Sequence, residues 1–127
     1  MWETPPAFFD AVQKEFHLNL DVCATEQNKK CVVFFTKEMD GLSLSWASWR
    51  CWMNPPYGRE IGKWVAKAAT GGASIVVCLL PARTDTRWFH DYIYNKPNAE
   101  IRFLKGRLKF GGSKNSAPFP SMLVIFR

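Results

Sequence analysis

Residues Ala73 to Leu80 form an apolar run rich in β-branched side chains that stops at Pro81. Such a run predicts a central strand covered on both faces, and the proline ends it because a residue without an N–H cannot extend the ladder. A strand buried on both faces needs helices above and below, so the rest of the chain must alternate between the two kinds of element. Pro6 to Phe16 places Phe8, Phe9, Val12 and Phe16 on one helical face, with Thr4 as N-cap before prolines that a first turn tolerates. His17 to Ala24 predicts a strand running into the small residues Cys23 and Ala24, Thr25 to Lys30 a short helix, and Cys31 to Thr36 a second strand. Lys37 to Trp49 mixes charge, Gly, Ser and two tryptophans and predicts irregular chain. Arg50 to Met53 is a short strand, and Glu60 to Thr70 a helix closed by Gly71-Gly72. Thr84 or Asp85 caps a short helix through Trp88, Phe89, Tyr92 and Ile93, and Glu100 to Leu104, Arg107 to Phe110 and Met122 to Phe126 are three further strand candidates. The expected fold class is α/β, a mostly parallel sheet with an antiparallel C-terminal edge, in a single domain over residues 1–127.

Composition narrows the function classes. With 127 residues, 47% hydrophobic and 22% charged, the chain can bury one core and is not a disordered or low-complexity sequence. Seventeen Lys and Arg against 11 acids give a net charge of +6, which favours a polyanionic partner. Six Trp, 3 Tyr and 10 Phe exceed what a small core requires, so some rings should face a ligand. The longest apolar stretch is too short to span a bilayer, and a soluble, cytoplasmic protein is expected. Cys23, Cys31, Cys51 and Cys78 form no CxxC pair, and His17 and His90 flank none. Reduced core thiols and no metal site are expected.

Open α/β sheets bind ligands at the C-terminal ends of their strands. Three segments qualify: Asp21 to Ala24, Asn54 to Tyr57, and Pro81 to Asp85. Asn54-Pro55-Pro56-Tyr57 speaks most directly of chemistry. The Asn54 amide carbonyl is an acceptor, and prolines lack the N–H that would compete for the backbone carbonyl of Pro55. Two acceptors then converge beside an aromatic ring. An exocyclic amine on an aromatic base is a poor nucleophile because its lone pair is delocalised, and acceptors gripping its two N–H bonds favour the tetrahedral nitrogen of a transition state. Tyr57 can stack on the base and hold the amine in line with an electrophilic methyl group. The bland alternative is a tight proline turn.

The ordered set of motifs is more selective than this tetrapeptide alone. It comprises Trp2-Glu3-Thr4-Pro5, Leu20 to Ala24 with Asn28 and Cys31, Phe34-Phe35-Thr36, Asp40-Gly41-Leu42 with Trp46, Trp52 to Gly58, Leu80 to Thr86, Gly106 to Phe110, and Ala117 to Ser121. With these residues the chain resembles the small phage-type DNA N6-adenine methyltransferases over nearly its whole length. The resemblance implies a minimal Rossmann-like methyltransferase fold and an enzyme that moves a methyl group from S-adenosylmethionine to adenine N6 in DNA. It implies that Asn54, Pro55, Pro56 and Tyr57 form the amine-binding motif, with Asn54 also bordering the cofactor. It places Asp21 near the cofactor's methionine part, with Cys23 and Ala24 in the adjoining turn and Thr4 and Pro5 lining the same end. Asp40, Leu42 and Trp46 are the candidates for the adenosine end. Larger enzymes of this fold have a glycine-rich turn after the first strand, whereas Asp21-Val22-Cys23-Ala24-Thr25 has no GxG, so the cofactor site must be abbreviated.

For DNA contact the candidates are Tyr57, Arg83 and the basic cluster Lys105, Arg107, Lys109 and Lys114 around Gly106, Gly111 and Gly112. Lys63 and Lys67 read as an ordinary exposed helix face, and Trp88 and Phe89 as core. Few residues remain for reading a recognition sequence, so low specificity or a homodimer is the corollary. Two rival readings stay open: the same fold acting on cytosine N4, an RNA base or a protein glutamine, and a catalytically idle nucleic-acid-binding module that kept the scaffold.

Overall fold

The computed structural model describes residues 3–111 and 116–127. Six strands form one sheet in the order β2-β1-β3-β4-β6-β5. They are β1 (Leu20–Asp21), β2 (Val33–Phe34), β3 (Arg50–Met53), β4 (Ile75–Pro81), β5 (Ala99–Phe103) and β6 (Ser121–Phe126), with helices α1 (Pro6–Phe16), α2 (Ile61–Thr70) and α3 (Arg87–Tyr92). Strands β1 to β4 are mutually parallel, and β6 runs antiparallel to both β4 and β5. The mostly parallel sheet with its antiparallel C-terminal part is thus the expected architecture. At that end β6 lies inside, because all six of its residues are buried, while β5 forms the edge with its charged Glu100 and Arg102.

Every residue of β4 is buried, and its side chains alternate between two cores. Val76, Cys78 and Leu80 pack with Trp64 and Val65 of α2 and Phe89 of α3. Ile75, Val77 and Leu79 pack with Phe9, Val12 and Phe16 of α1 and with Phe110 and Ala117. The three-layer arrangement follows from that two-sided apolar run.

Helix α1 begins as its spacing predicts, but Thr4 is not its cap. Pro5 is the N-cap, without a side-chain bond, and its carbonyl accepts from Phe9 N–H at 3.1 Å. The cap of α3 is Thr86, whose Oγ1 accepts from Phe89 N–H, rather than Thr84 or Asp85. No helix forms between Thr25 and Lys30. Thr25 N–H donates to Asn28 Oδ1 at 2.7 Å and Asn28 N–H returns to Thr25 Oγ1 at 3.2 Å, so two side chains close a turn instead of a helical ladder. Arg107 to Phe110 is not a strand either. After the bend at Gly106 (φ 74°) the segment makes one bridge, Gly111 to Glu3, and Leu108 O accepts from Ala117 N–H. Its apolar residue Phe110 is anchored in the core under α1 instead of in the sheet. Among the described residues, no helix is long and apolar enough to cross a membrane.

After β2 the chain crosses back over β1 to add β3 on its other side, so the direction of growth reverses between β1 and β3. A crevice opens at such a switch point, outside the carboxyl ends of the strands. Asp21 ends β1, and Asn54 follows Met53, the last residue of β3.

Candidate active site

The reversal between β1 and β3 sets Asp21 opposite Trp52, two residues before Asn54. Asp21 is 2% exposed, and its carboxylate accepts from Cys23 N–H at 3.2 Å and from Lys30 N–H at 3.0 Å. Burial pushes its carboxyl up to about 6, against the pull of those two amides and the Lys30 charge. The carboxylate therefore shapes the abbreviated turn that replaces a glycine-rich one. Asn54 is 6% exposed, and its Nδ2 donates to the buried Thr4 Oγ1 at 3.1 Å, which fixes the orientation of the amide. The hydroxyl expected to cap α1 thus holds the central side chain of the site. Thr4, Asp21, Cys23 and Asn54 line a small polar space of about 10 Å³, room for one water molecule.

A larger cavity of about 730 Å³ adjoins it, sharing Cys23 and bounded by Ala24, Asp40, Leu42, Pro56, Tyr57 and Trp64 among others. The Tyr57 hydroxyl donates to Leu79 O at 2.9 Å, and the edge of Phe119 meets its ring at 5.6 Å between centroids. Burial raises the Tyr57 phenol above its usual range, so it stays protonated and keeps donating. The ring is thereby held on the wall of the cavity, with Pro55 buried and Pro56 exposed beside it.

The structure brings Thr4, Asp21, Cys23 and Asn54 to one space and Cys23, Ala24, Asp40, Leu42, Pro56 and Tyr57 to the next. Two expected cofactor residues lie elsewhere. Trp46 is fully buried in the core, stacked at 6.0 Å on Trp64, with its indole N–H donating to Gly41 O at 2.9 Å; it supports the cavity wall from behind and does not line it. Pro5 sits half-buried at the start of α1 and lines neither space.

Sequence reasoning misses Gly41 and Lys67. A Cβ on Gly41 would lie 2.4 Å from the Val22 carbonyl, so only glycine lets the Asp40–Leu42 loop close against the end of β1. Lys67 is not an idle surface charge. Its ammonium donates to Leu42 O at 2.8 Å and to Leu44 O, and lies 5.4 Å from the Trp46 ring centroid, tying the loop to α2. Asp40-Gly41-Leu42 stands among the motifs that carry the resemblance, but with no role for the glycine, and nothing in the helical spacing marks Lys67.

Strand β5 runs with β4, so the segment after Phe103 emerges at the same rim as Asn54. Lys105, Arg107 and Lys109 are exposed on it, and Lys114 lies outside the described residues. Arg83 is exposed just past β4, its guanidinium 5.9 Å from the Phe119 ring centroid. Cys31, Cys51 and Cys78 are buried and Cys23 half-buried, all as free thiols. Burial pushes Cys23 up to about 11 and Cys31 and Cys51 up to about 12, so they are poor nucleophiles at neutral pH. Among the described residues no group of three or more His, Cys, Asp or Glu is placed to hold a metal ion.

The family model for DNA N-6-adenine-methyltransferase (Dam) matches residues 1–127. The chain is 31% identical over 137 residues to the DNA N-6-adenine-methyltransferase of Haemophilus phage HP1 (strain HP1c1), covering 99% of this chain and 78% of that protein. It is also 31% identical over 111 residues to the DNA N-6-adenine-methyltransferase of Escherichia phage T1, covering 85% of this chain and 46% of the phage T1 protein. A parallel sheet whose switch point carries Asn-Pro-Pro-Tyr on one side and a buried aspartate on the other, together with a family match along its full length, means that the chain belongs to the DNA N-6-adenine-methyltransferase family.

Proposed function

We propose that this chain methylates adenine N6 in DNA, using S-adenosylmethionine as donor and the Asn54–Tyr57 loop to hold the target amine. The observation that carries this reading is the Thr4–Asn54 hydrogen bond at 3.1 Å beside a cavity of about 730 Å³. A buried asparagine with its nitrogen committed to Thr4 presents its carbonyl as an acceptor of fixed direction. The cavity has the volume of a small-molecule site.

The donor fits these residues. The buried carboxylate of Asp21 suits a cationic amino acid head, and the lining of Ala24, Leu42 and Trp64 suits an apolar adenosine end. Asp21 and Thr4 would hold the methionine part, and Asp40 and Leu42 the adenosine part. When bound, this group would supply an electrophilic methyl carbon. Asn54 Oδ1 and the Pro55 carbonyl accept from the two N–H bonds of the adenine amine, drawing its lone pair out of conjugation with the ring. Tyr57, anchored through Leu79, offers its ring to the base and sets the amine in line. The small space beside Asn54 must widen when the amine arrives, because it has room for only one water. A base in a duplex has to leave the stack to reach this loop, at about a few kcal/mol. Arg83, Lys105, Arg107 and Lys109 at the same rim would steady the DNA backbone.

The test is to incubate the purified protein with DNA and labelled cofactor and to identify the modified nucleoside by mass spectrometry. N6-methyladenine is expected, and its loss in Asn54→Ala with cofactor binding intact. N4-methylcytosine would reassign the acceptor. DNA binding without any methylated product, and without cofactor binding by calorimetry, would favour the idle binding module.

A further inference from the structure

Loop residues 57–60 separate the cofactor cavity from a second cleft of about 450 Å³ on their other side. Tyr57 and Glu60 face the first, and Gly58 and Arg59 the second. Three arginines line the second cleft, Arg59 before α2, Arg83 after β4 and Arg87 at the start of α3, with one acidic residue, Asp91. All three arginines are exposed or nearly so, and among the described residues none takes part in an ion pair. Of the four arginines elsewhere, Arg102 is bound by Glu15 and Glu100 and Arg127 by Glu100, Arg50 donates to the Phe16 and His17 carbonyls, and Arg107 takes part in no ion pair among the described residues. Three like charges left together around a concave surface repel one another unless an anion joins them.

The exposed backbone at Gly58, on the lining of the cleft, is open as well. A Cβ on Gly58 would meet nothing within 4 Å, so a ligand can approach the backbone there. Gly58 directly follows Tyr57, so the cleft lies one residue along the chain from the ring that lines the first cavity. Arg83 links the two places, since its guanidinium lies over Phe119, whose ring in turn touches Tyr57.

We propose that the Arg59–Arg83–Arg87 cleft is a phosphate-binding site that grips the DNA backbone next to the nucleotide displaced toward Tyr57. This rests on the function proposed above and adds Arg59 and Arg87 to it, joining them to Arg83 in a clamp separate from the basic segment 105–109. Arginine suits the task, because its planar fork matches two phosphate oxygens and keeps its charge at every accessible pH. A flipped nucleotide carries a phosphate on each side, so a cationic cleft one residue from the base-holding ring meets one of them as the base enters.

The experiment measures duplex binding by anisotropy across a salt series, alongside steady-state methylation. The pair Arg59→Gln/Arg87→Gln should reduce the slope of log K against log salt by about 0.9, the share of the one phosphate that is no longer neutralised. It should raise KM for DNA while kcat at saturating DNA and the calorimetric cofactor affinity stay as in wild type. Arg59→Lys/Arg87→Lys keeps the charge and should keep the slope. In the wild-type protein, methylphosphonate in place of one phosphate flanking the target adenine should weaken binding severalfold, an arm that needs no altered protein. An unchanged slope in the glutamine pair, an equal loss in the lysine pair, or indifference to both methylphosphonates would each overturn the clamp. Failure of the underlying function looks different: wild-type protein would then yield no methylated adenine at all.

Discussion

Replacing Thr4 by Val removes one hydroxyl and nearly preserves shape. Thr4 is 3% exposed and its Oγ1 accepts from Asn54 Nδ2 at 3.1 Å, so the substitution takes this acceptor from a buried donor. The cost is about 1–3 kcal/mol of stability, the usual penalty for breaking such a bond from one side. The effect on turnover follows from orientation. The amide must present oxygen, not nitrogen, to the amine. Without the bond, an amide left with no preference lowers kcat about twofold, and one that prefers the flipped orientation by about 1–2 kcal/mol lowers it about five- to thirtyfold, at tenfold per 1.36 kcal/mol. Asn54→Ala removes the acceptor itself and should cost about 10²–10³ in kcat. The assay is initial rate at saturating DNA with labelled cofactor, with a thermal melt and calorimetric cofactor titration of each variant. Thr4→Ser, which keeps the hydroxyl, should recover most of the turnover. Wild-type kcat in a destabilised Thr4→Val would refute the reasoning, since the bond would then serve the fold alone. A loss of cofactor affinity with kcat unchanged would show that Thr4 serves the methionine part of the donor alone.

Further outcomes follow from the geometry. Because burial pushes the Asp21 carboxyl up to about 6, its ionised form grows in as pH rises through that value, and affinity for a cationic cofactor head should tighten between about pH 5 and 7 and then level off; calorimetry on Asp21→Asn should give a flat profile over the same window. The sign for stability is the reverse: a carboxyl raised from 3.8 to about 6 leaves the folded state unpenalised below about pH 4 and costs it about 3 kcal/mol above about pH 6, which denaturation of wild type against Asp21→Asn across pH would register. Tyr57→Phe loses only the bond to Leu79 O and should keep most turnover with about 1 kcal/mol less stability, whereas Tyr57→Ala should lose turnover severely; equal kinetics in the two would remove the ring from the mechanism. Gly41→Ala forces the loop off the Val22 carbonyl and should weaken cofactor binding while leaving the far side of the sheet intact, as cofactor titration and hydrogen exchange would record.

Periodicity alone reveals α1, α2, β3, β4 and β6 with errors of a residue or two, because each has an apolar face that only one kind of element can bury. It fails where side chains or distant segments settle the backbone. Thr25–Lys30 has a helical look, yet the reciprocal Thr25–Asn28 bonds close a turn. The alternation of basic and apolar residues from Arg107 to Phe110 suggests a strand, yet Phe110 is drawn into the core under α1. The resemblance puts Trp46 at the adenosine end with Asp40 and Leu42, but its neighbours in space are Trp64 and the Gly41 carbonyl.

What the sequence determined by itself is the two-sided central strand, the punctuation after it and after β3, and the residue types of the amine-holding loop, since these depend on local pattern and on the chemistry each side chain carries. Which residues meet was decided only by the tertiary structure. Thr4 reaches Asn54 across 50 positions, Tyr57 is tied to Leu79, and Arg59, Arg83 and Arg87 share one cleft. No periodicity encodes such encounters, because they arise when β3 crosses to the other side of β1 and helices from distant parts of the chain are packed against the same sheet.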